Sequence, residues 1–173
     1  MLGKGDDFLP RDAIFGDFEV VDYQDADNRS PMTDFFLNMW RSKGGEQKAI
    51  SRADIRPMEM KQYLEHVVLM DVVRDQENWR LQVRLIGGHV ATFYGEITGK
   101  DIREMENSKA IERIYFISGK VIESKEPGMT VSPAFSPDKL YMEAVALYLP
   151  LFDKDGEVNK IMVAVHVSSP GRH

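Results

Sequence analysis

Cysteine is absent from the chain, and that absence removes disulfides, thiolate metal sites, iron–sulfur clusters and a cysteine nucleophile together. Clusters of lysine and arginine are also missing, and the net charge is −6. Nucleic acid and anionic membranes, which both need concentrated positive charge, are therefore not expected as partners. No apolar run reaches the roughly 18 residues of a spanning helix, and the start, MLGKGDDFLP, lacks the apolar centre of a secretory signal, so the expected location is the cytoplasm. Histidine is scarce. His66, His89, His166 and His173 are the full set, and none stands three or four residues from another metal-binding side chain, so no metal is expected.

Two glycine-bearing segments also lack the chemistry they superficially suggest. Gly95 to Asp101 has one residue too few between its glycines for a phosphate loop, and an aspartate where magnesium would need a hydroxyl. Gly87-Gly88 has no third glycine at dinucleotide-binding spacing. Carboxylates are abundant but fall in turns and on outer helix faces, and no nucleophile–base–acid order can be argued from sequence, so an enzyme is not expected.

What is present suits a single folded domain. Of 173 residues, 43% are hydrophobic, and a domain of about 150 residues buries roughly 68–70% of its unfolded surface. Three segments are expected: an acidic arm over 1–32, a capping or dimerisation helix over 33–45, and the main domain over 46–173. The arm carries eight acidic residues against Lys4, Arg11 and Arg29, yet also Phe8, Leu9, Ile14, Phe15, Phe18, Val20 and Val21. Part of it should lie against the domain or a partner. Thr33 to Ser42 reads as a helix capped by Thr33, with Phe35/Met39 and Phe36/Trp40 as i,i+4 pairs on one broad apolar side.

A short helix is predicted from Pro57 to Leu64, followed by a central strand over His66 to Val73. Trp79, Leu81, Val83 and Leu85 then alternate with Arg80, Gln82 and Arg84, which predicts a strand with one buried side. A short helical segment, His89 to Tyr94, ends at Gly95. Ser108 to Lys125 is the clearest helix, with Ile111, Ile114, Tyr115, Ser118, Val121, Ile122 and Lys125 on one side and Glu112, Arg113, Lys120 and Glu123 on the other. Gly119 within it marks either a close approach or a tolerated surface position. Three strands follow, about Met129–Phe135, Tyr141–Phe152 and Val158–Ser168. Asp155-Gly156 between the last two predicts a hairpin that pairs Tyr148 with Val163 and Leu147 with Ala164. One hairpin face then carries Met142, Ala144, Ala146 and Tyr148. The other carries Val145, Leu147 and Leu149 and is too apolar to face water, which makes the 33–42 helix its candidate cover.

This order predicts an α+β fold: a five-stranded antiparallel sheet with helices on one face, and an N-terminal helix capping the other face or forming a dimer interface. The pieces SRADIRP, EHVVLMDVVRD, WRLQVRLIGG, YGEITGK and LYLPLFDKDGEV resemble, in order, the PAS domain, and in particular the compact stand-alone PAS proteins of alphaproteobacteria. The resemblance implies a non-catalytic sensory or interaction module that binds a small molecule or a partner protein and acts in trans. Haem is disfavoured, because the long helix from which such domains commonly ligate iron has no histidine. Without cysteine a covalent flavin photoadduct is excluded, while noncovalent flavin stays open. The expected ligand is small and apolar or amphipathic, and the residues expected to line its cavity are His89, Phe93, Tyr94, Tyr115, Met142 and Tyr148. The alternative is a filled core and a pure interaction module. A homodimer is expected through Phe36, Met39 and Trp40, with polar replacements of Phe36 and Trp40 shifting the oligomer while leaving the fold intact.

Overall fold

The computed structural model describes residues 14–15, 17–46, 50–135 and 141–168, with backbone alone at 14–15, 134–135 and 141. In chain order its elements are β1 (Ile14–Phe15), β2 (Glu19–Val21), α1 (Pro31–Ser42), β3 (Val67–Asp75), β4 (Asn78–Ile86), α2 (Gly88–Tyr94), α3 (Ser108–Ser124), β5 (Gly128–Phe135), β6 (Tyr141–Phe152) and β7 (Val158–Ser168), with short 3-10 segments between them. The longest of these segments, Pro57–His66, runs directly into β3.

The Asp-Gly turn sets the register of the sheet. Gly156 adopts φ 81°, a left-handed conformation that only glycine enters without a Cβ penalty, and β6 folds back on β7 with Tyr148 opposite Val163 and Leu147 opposite Ala164. Antiparallel pairing continues through β5-β6-β7-β3-β4. The arm adds β1 and β2, both paired with β5, so the sheet has seven strands rather than the expected five. A bare β5 edge would offer unpaired amides and carbonyls to other chains, and the arm covers it. Its residues 1–13 lie outside the described residues.

α1 starts two residues earlier than expected because Ser30, not Thr33, caps it. The Thr33 amide donates to Ser30 Oγ at 3.3 Å, and the Ser30 amide donates to Thr33 Oγ1 at 2.8 Å. Pro31 fits the first helical position, where no backbone donor is required. The apolar side of α1 lies on the outer sheet face, where Phe36, Leu37 and Trp40 pack with Leu147, Leu149 and Leu151. Trp40 Nε1 donates to the Pro150 carbonyl at 3.1 Å. Because Phe36 and Trp40 are buried inside the chain itself, their polar replacement would strike the core and could not leave the fold intact.

The opposite, inner face carries α2 and α3. Leu81 and Val83 are buried there as the alternation predicts, but Leu85 is 45% exposed. The cause is a bulge: Leu69 pairs with Leu85 and Met70 with Val83, so Arg84 is the extra residue and the alternation reverses after it. The expected faces of α3 also need correction. Arg113 is 4% exposed, because it shares the inward stripe of Ala110, Ile114, Ile117 and Val121. Lys125 leaves that stripe and closes the helix at φ 63°.

Candidate functional site

The inner face of the sheet is built from small residues where helices cross it. Ala144 and Ala146 of β6, Val163 and Val165 of β7, and Thr130 of β5 face Val90 and Tyr94 of α2 and Arg113 and Ile114 of α3. Ile97, Ile102 and Met105, from the α2–α3 connection, close the roof. About 30 Å³ of space remains among them, room for about two water molecules. Directly above lies a polar groove of about 480 Å³ lined by Lys100, Glu104 and Asn107 among others. Tyr94, Ile97 and Met105 line both spaces, so they form a partition between the apolar cavity and the groove. Gly95 (φ 87°) and Gly99 (φ 85°) flank the first part of that partition.

One wall of the cavity is polar. Arg113 Nη2 donates to the Tyr94 hydroxyl at 2.6 Å, and Nη1 donates to Ser132 Oγ at 3.4 Å. Burial opposes the guanidinium charge, but the phenols of Tyr94 and Tyr148 outweigh it and raise the Arg113 pKa. Burial pushes the Tyr148 phenol up to about 12 against the opposing Arg113 charge, so this hydroxyl remains protonated through the physiological range. Thr130 Oγ1 is buried with no hydrogen-bond partner among the described residues. The cavity is thus an aliphatic slot with a cationic, hydroxyl-rich end.

Of the six expected lining residues, Tyr94 and Tyr148 reach the cavity. Tyr115 lies on the flank of α3, stacked on Trp79 with centroids 5.4 Å apart. Its hydroxyl accepts from the Leu81 amide at 3.1 Å and contacts Asp101 Oδ1 at 3.3 Å, which pins α3 to β4. Phe93 and Met142 pack in a small separate cluster with Ala144 and Val167. Phe36, Met39 and Trp40 are in the α1 core described above. Arg113 is absent from the expected lining because a charge favours an outward side chain, although its place on the Ala110–Ile114–Ile117 stripe is readable in the sequence.

His89 lies elsewhere, in a group that sequence spacing does not reveal. His66 ends the 3-10 segment before β3, His89 is in the first turn of α2, and His166 is near the end of β7. All three are half-buried, and one ring nitrogen from each lies within 4.8 Å of the others. The 3-10 segment and α2 meet this closely because residue 87 is glycine: a Cβ there would collide with the Leu64 and Glu65 carbonyls. The Gly87 amide also donates to the Val67 carbonyl at 2.8 Å. Burial, followed by repulsion from His66 and His166, pushes the His89 pKa down to about 4, so its ring is neutral at pH 7.

Among the described residues no helix is long and apolar enough to cross a membrane. No curated protein matches the chain. Residues 28–165 match the family model described as PAS domain, a span running from just before α1 to near the end of β7.

Proposed function

The chain belongs to the PAS domain family, a family of sensory and interaction modules, and from that premise we propose that it senses a small amphipathic acid. The apolar body of the ligand would occupy the slot between β6, β7 and α2, with its acidic head on Arg113. The observation that carries this reading is the buried guanidinium at one end of an otherwise aliphatic cavity. Arginine is the side chain best matched to a carboxylate, which it can grip through two parallel hydrogen bonds. The unsatisfied Thr130 hydroxyl adds a further polar contact. A ligand of ordinary size needs roughly 300–1,000 Å³, so uptake requires the partition of Tyr94, Ile97 and Met105 to swing toward the groove above it. That movement would carry the signal, as a displaced α2–α3 surface, to a partner protein.

The second reading, an interaction module with a filled core, is favoured by the small residual volume of about 30 Å³. Native mass spectrometry of freshly purified protein, followed by denaturation, separates the two when combined with thermal titration by C6 to C10 monocarboxylates and the alcohols of equal length. Sensing of an acid predicts a released adduct or a carboxylate-specific stabilisation, about 2.7 kcal/mol at 100 times the dissociation constant, which Arg113→Met removes. A clean mass and no response to any carboxylate would leave the interaction module.

A further inference from the structure

We propose that His66, His89 and His166 form a binding site for a divalent first-row cation, zinc fitting best, with the Glu65 carboxylate or a water as fourth ligand. Three imidazoles suit zinc, copper, nickel or cobalt rather than magnesium or calcium, which take oxygen ligands. Three histidines with one further position constitute a well-known zinc donor set.

The geometry supports this in four ways. First, the ligand nitrogens already lie within 4.8 Å of one another, whereas a tetrahedral zinc with bonds of about 2.0–2.1 Å needs them about 3.4 Å apart. Metal binding would draw the three nitrogens together by side-chain rotation. His89 and His166 lie nearly parallel, 18° apart, so one of those two rings must turn.

Second, His66 is oriented in advance. Its Nδ1 lies 2.9 Å from the Val165 carbonyl, and a ring that donates there keeps its Nε2 lone pair for a metal. A backbone carbonyl in this position is a common way to set the tautomer of a ligating histidine. Glu65 Oε1 stands 3.5 Å from that Nε2, and its exposed side chain would have to swing inward to join the three rings.

Third, His89 Nε2 accepts only a long bond, 3.3 Å, from the Val167 amide. Coordination through Nε2 replaces that bond and keeps the same tautomer. Fourth, three elements distant in sequence converge here: β3 pairs with β7 through Val67 and Ala164, and Gly87 lets α2 approach the Leu64–Glu65 backbone more closely than a side chain would allow.

The site is separate from the ligand cavity but adjacent to it. Val90 and Val165, each next to a cluster histidine in sequence, line that cavity. A bound ion would clamp the start of α2 to β3 and β7 and so restrain one wall of the slot.

The test uses untagged full-length protein freed of metal by a chelator, with zinc followed by calorimetry and cobalt by absorption. One zinc per chain is expected, saturably bound, together with visible cobalt bands of a four- or five-coordinate site. His66→Gln, His89→Gln and His166→Gln should each weaken binding by about tenfold or more, a loss that even outer-shell partners of metal ligands produce. Each variant is compared only where its melting profile matches the unsubstituted chain; the cobalt spectrum needs no variant. Absence of saturable zinc uptake, uptake indifferent to the three substitutions, or an octahedral cobalt spectrum would overturn the proposal. Because the readouts are metal stoichiometry and spectrum, they are independent of whether any acid occupies the cavity.

Discussion

β6 and β7 present two unlike faces from one alternating pattern. Outward from β6 stand Val145, Leu147, Leu149 and Leu151, and Phe36, Leu37 and Trp40 of α1 fill the space against them. Inward stand Ala144, Ala146 and Tyr148, and beyond them are a small cavity, a buried arginine and an unsatisfied threonine hydroxyl. The outer face is large against large, which close packing rewards. The inner face carries alanines at 144 and 146 beside the valine and leucines of the outer row, and the helix above contributes a charge. The outer face is thus the scaffold, and the inner face is the working surface only under the proposed sensing of an acid.

The sharpest test of the contrast is on the scaffold side. Trp40→Ala should cost about 3–5 kcal/mol, the range for aromatic truncation in a core that cannot collapse, and it also removes the hydrogen bond to the Pro150 carbonyl. Urea unfolding would show the loss as a lower midpoint. A cost below about 1 kcal/mol would mean that α1 sits loosely and the two faces are alike. Adjacent glycines supply the next test. Gly87→Ala drives a Cβ into the Leu64 and Glu65 carbonyls, whereas at Gly88 nothing lies within 4 Å. The first substitution should cost about 1–3 kcal/mol through forced separation of backbone segments; the second should be neutral or slightly stabilising, since alanine favours a helix. Equal effects would remove the close approach as the reason the histidines meet.

Some of this was legible in the residues and some was not, for physical reasons. The hairpin register followed from Asp155-Gly156, because a two-fold side-chain period and one glycine-requiring turn leave little freedom. The cover on the outer face followed from the apolar outer row of β6. Leu85 was misplaced because a bulge depends on pairing with β3, which periodicity within β4 does not report. Arg113 defies the rule that charge faces outward because the hydroxyls that hold it come from α2 and β5, which the α3 sequence does not report. The histidine cluster required knowing that β3 pairs with β7, with Val67 opposite Ala164; that register brings the start of β3 to the end of β7, and only Gly87 then adds α2. Long-range pairing of this kind leaves no local spacing to read.

A milder test targets the working face. Ala146→Val adds two carbons to a cavity of about 30 Å³ at a strand position that suits a branched side chain. Its stability should stay within about 1.5 kcal/mol of the unsubstituted chain, while carboxylate-dependent stabilisation disappears. A cost equal to that of Trp40→Ala would show the inner face to be packed as tightly as the outer one.

The last test, at Gly119 in the middle of α3, is expected to stabilise rather than destabilise. Alanine is better than glycine there by about 1 kcal/mol on helix propensity. An added Cβ would stand 3.4 Å from Cζ2 of Trp79, an ordinary van der Waals contact, and would extend the surface on which the Trp79–Tyr115 stack rests. Gly119→Ala should therefore raise the urea midpoint modestly, by the equivalent of about 0.5–1 kcal/mol. If stability falls instead, the Trp79 ring has no room to yield, and α3 is held against β4 more tightly than against the cavity wall. The helix would then be held on both flanks, by the Trp79–Tyr115 stack on one side and by the Arg113 bonds to Tyr94 and Ser132 on the other.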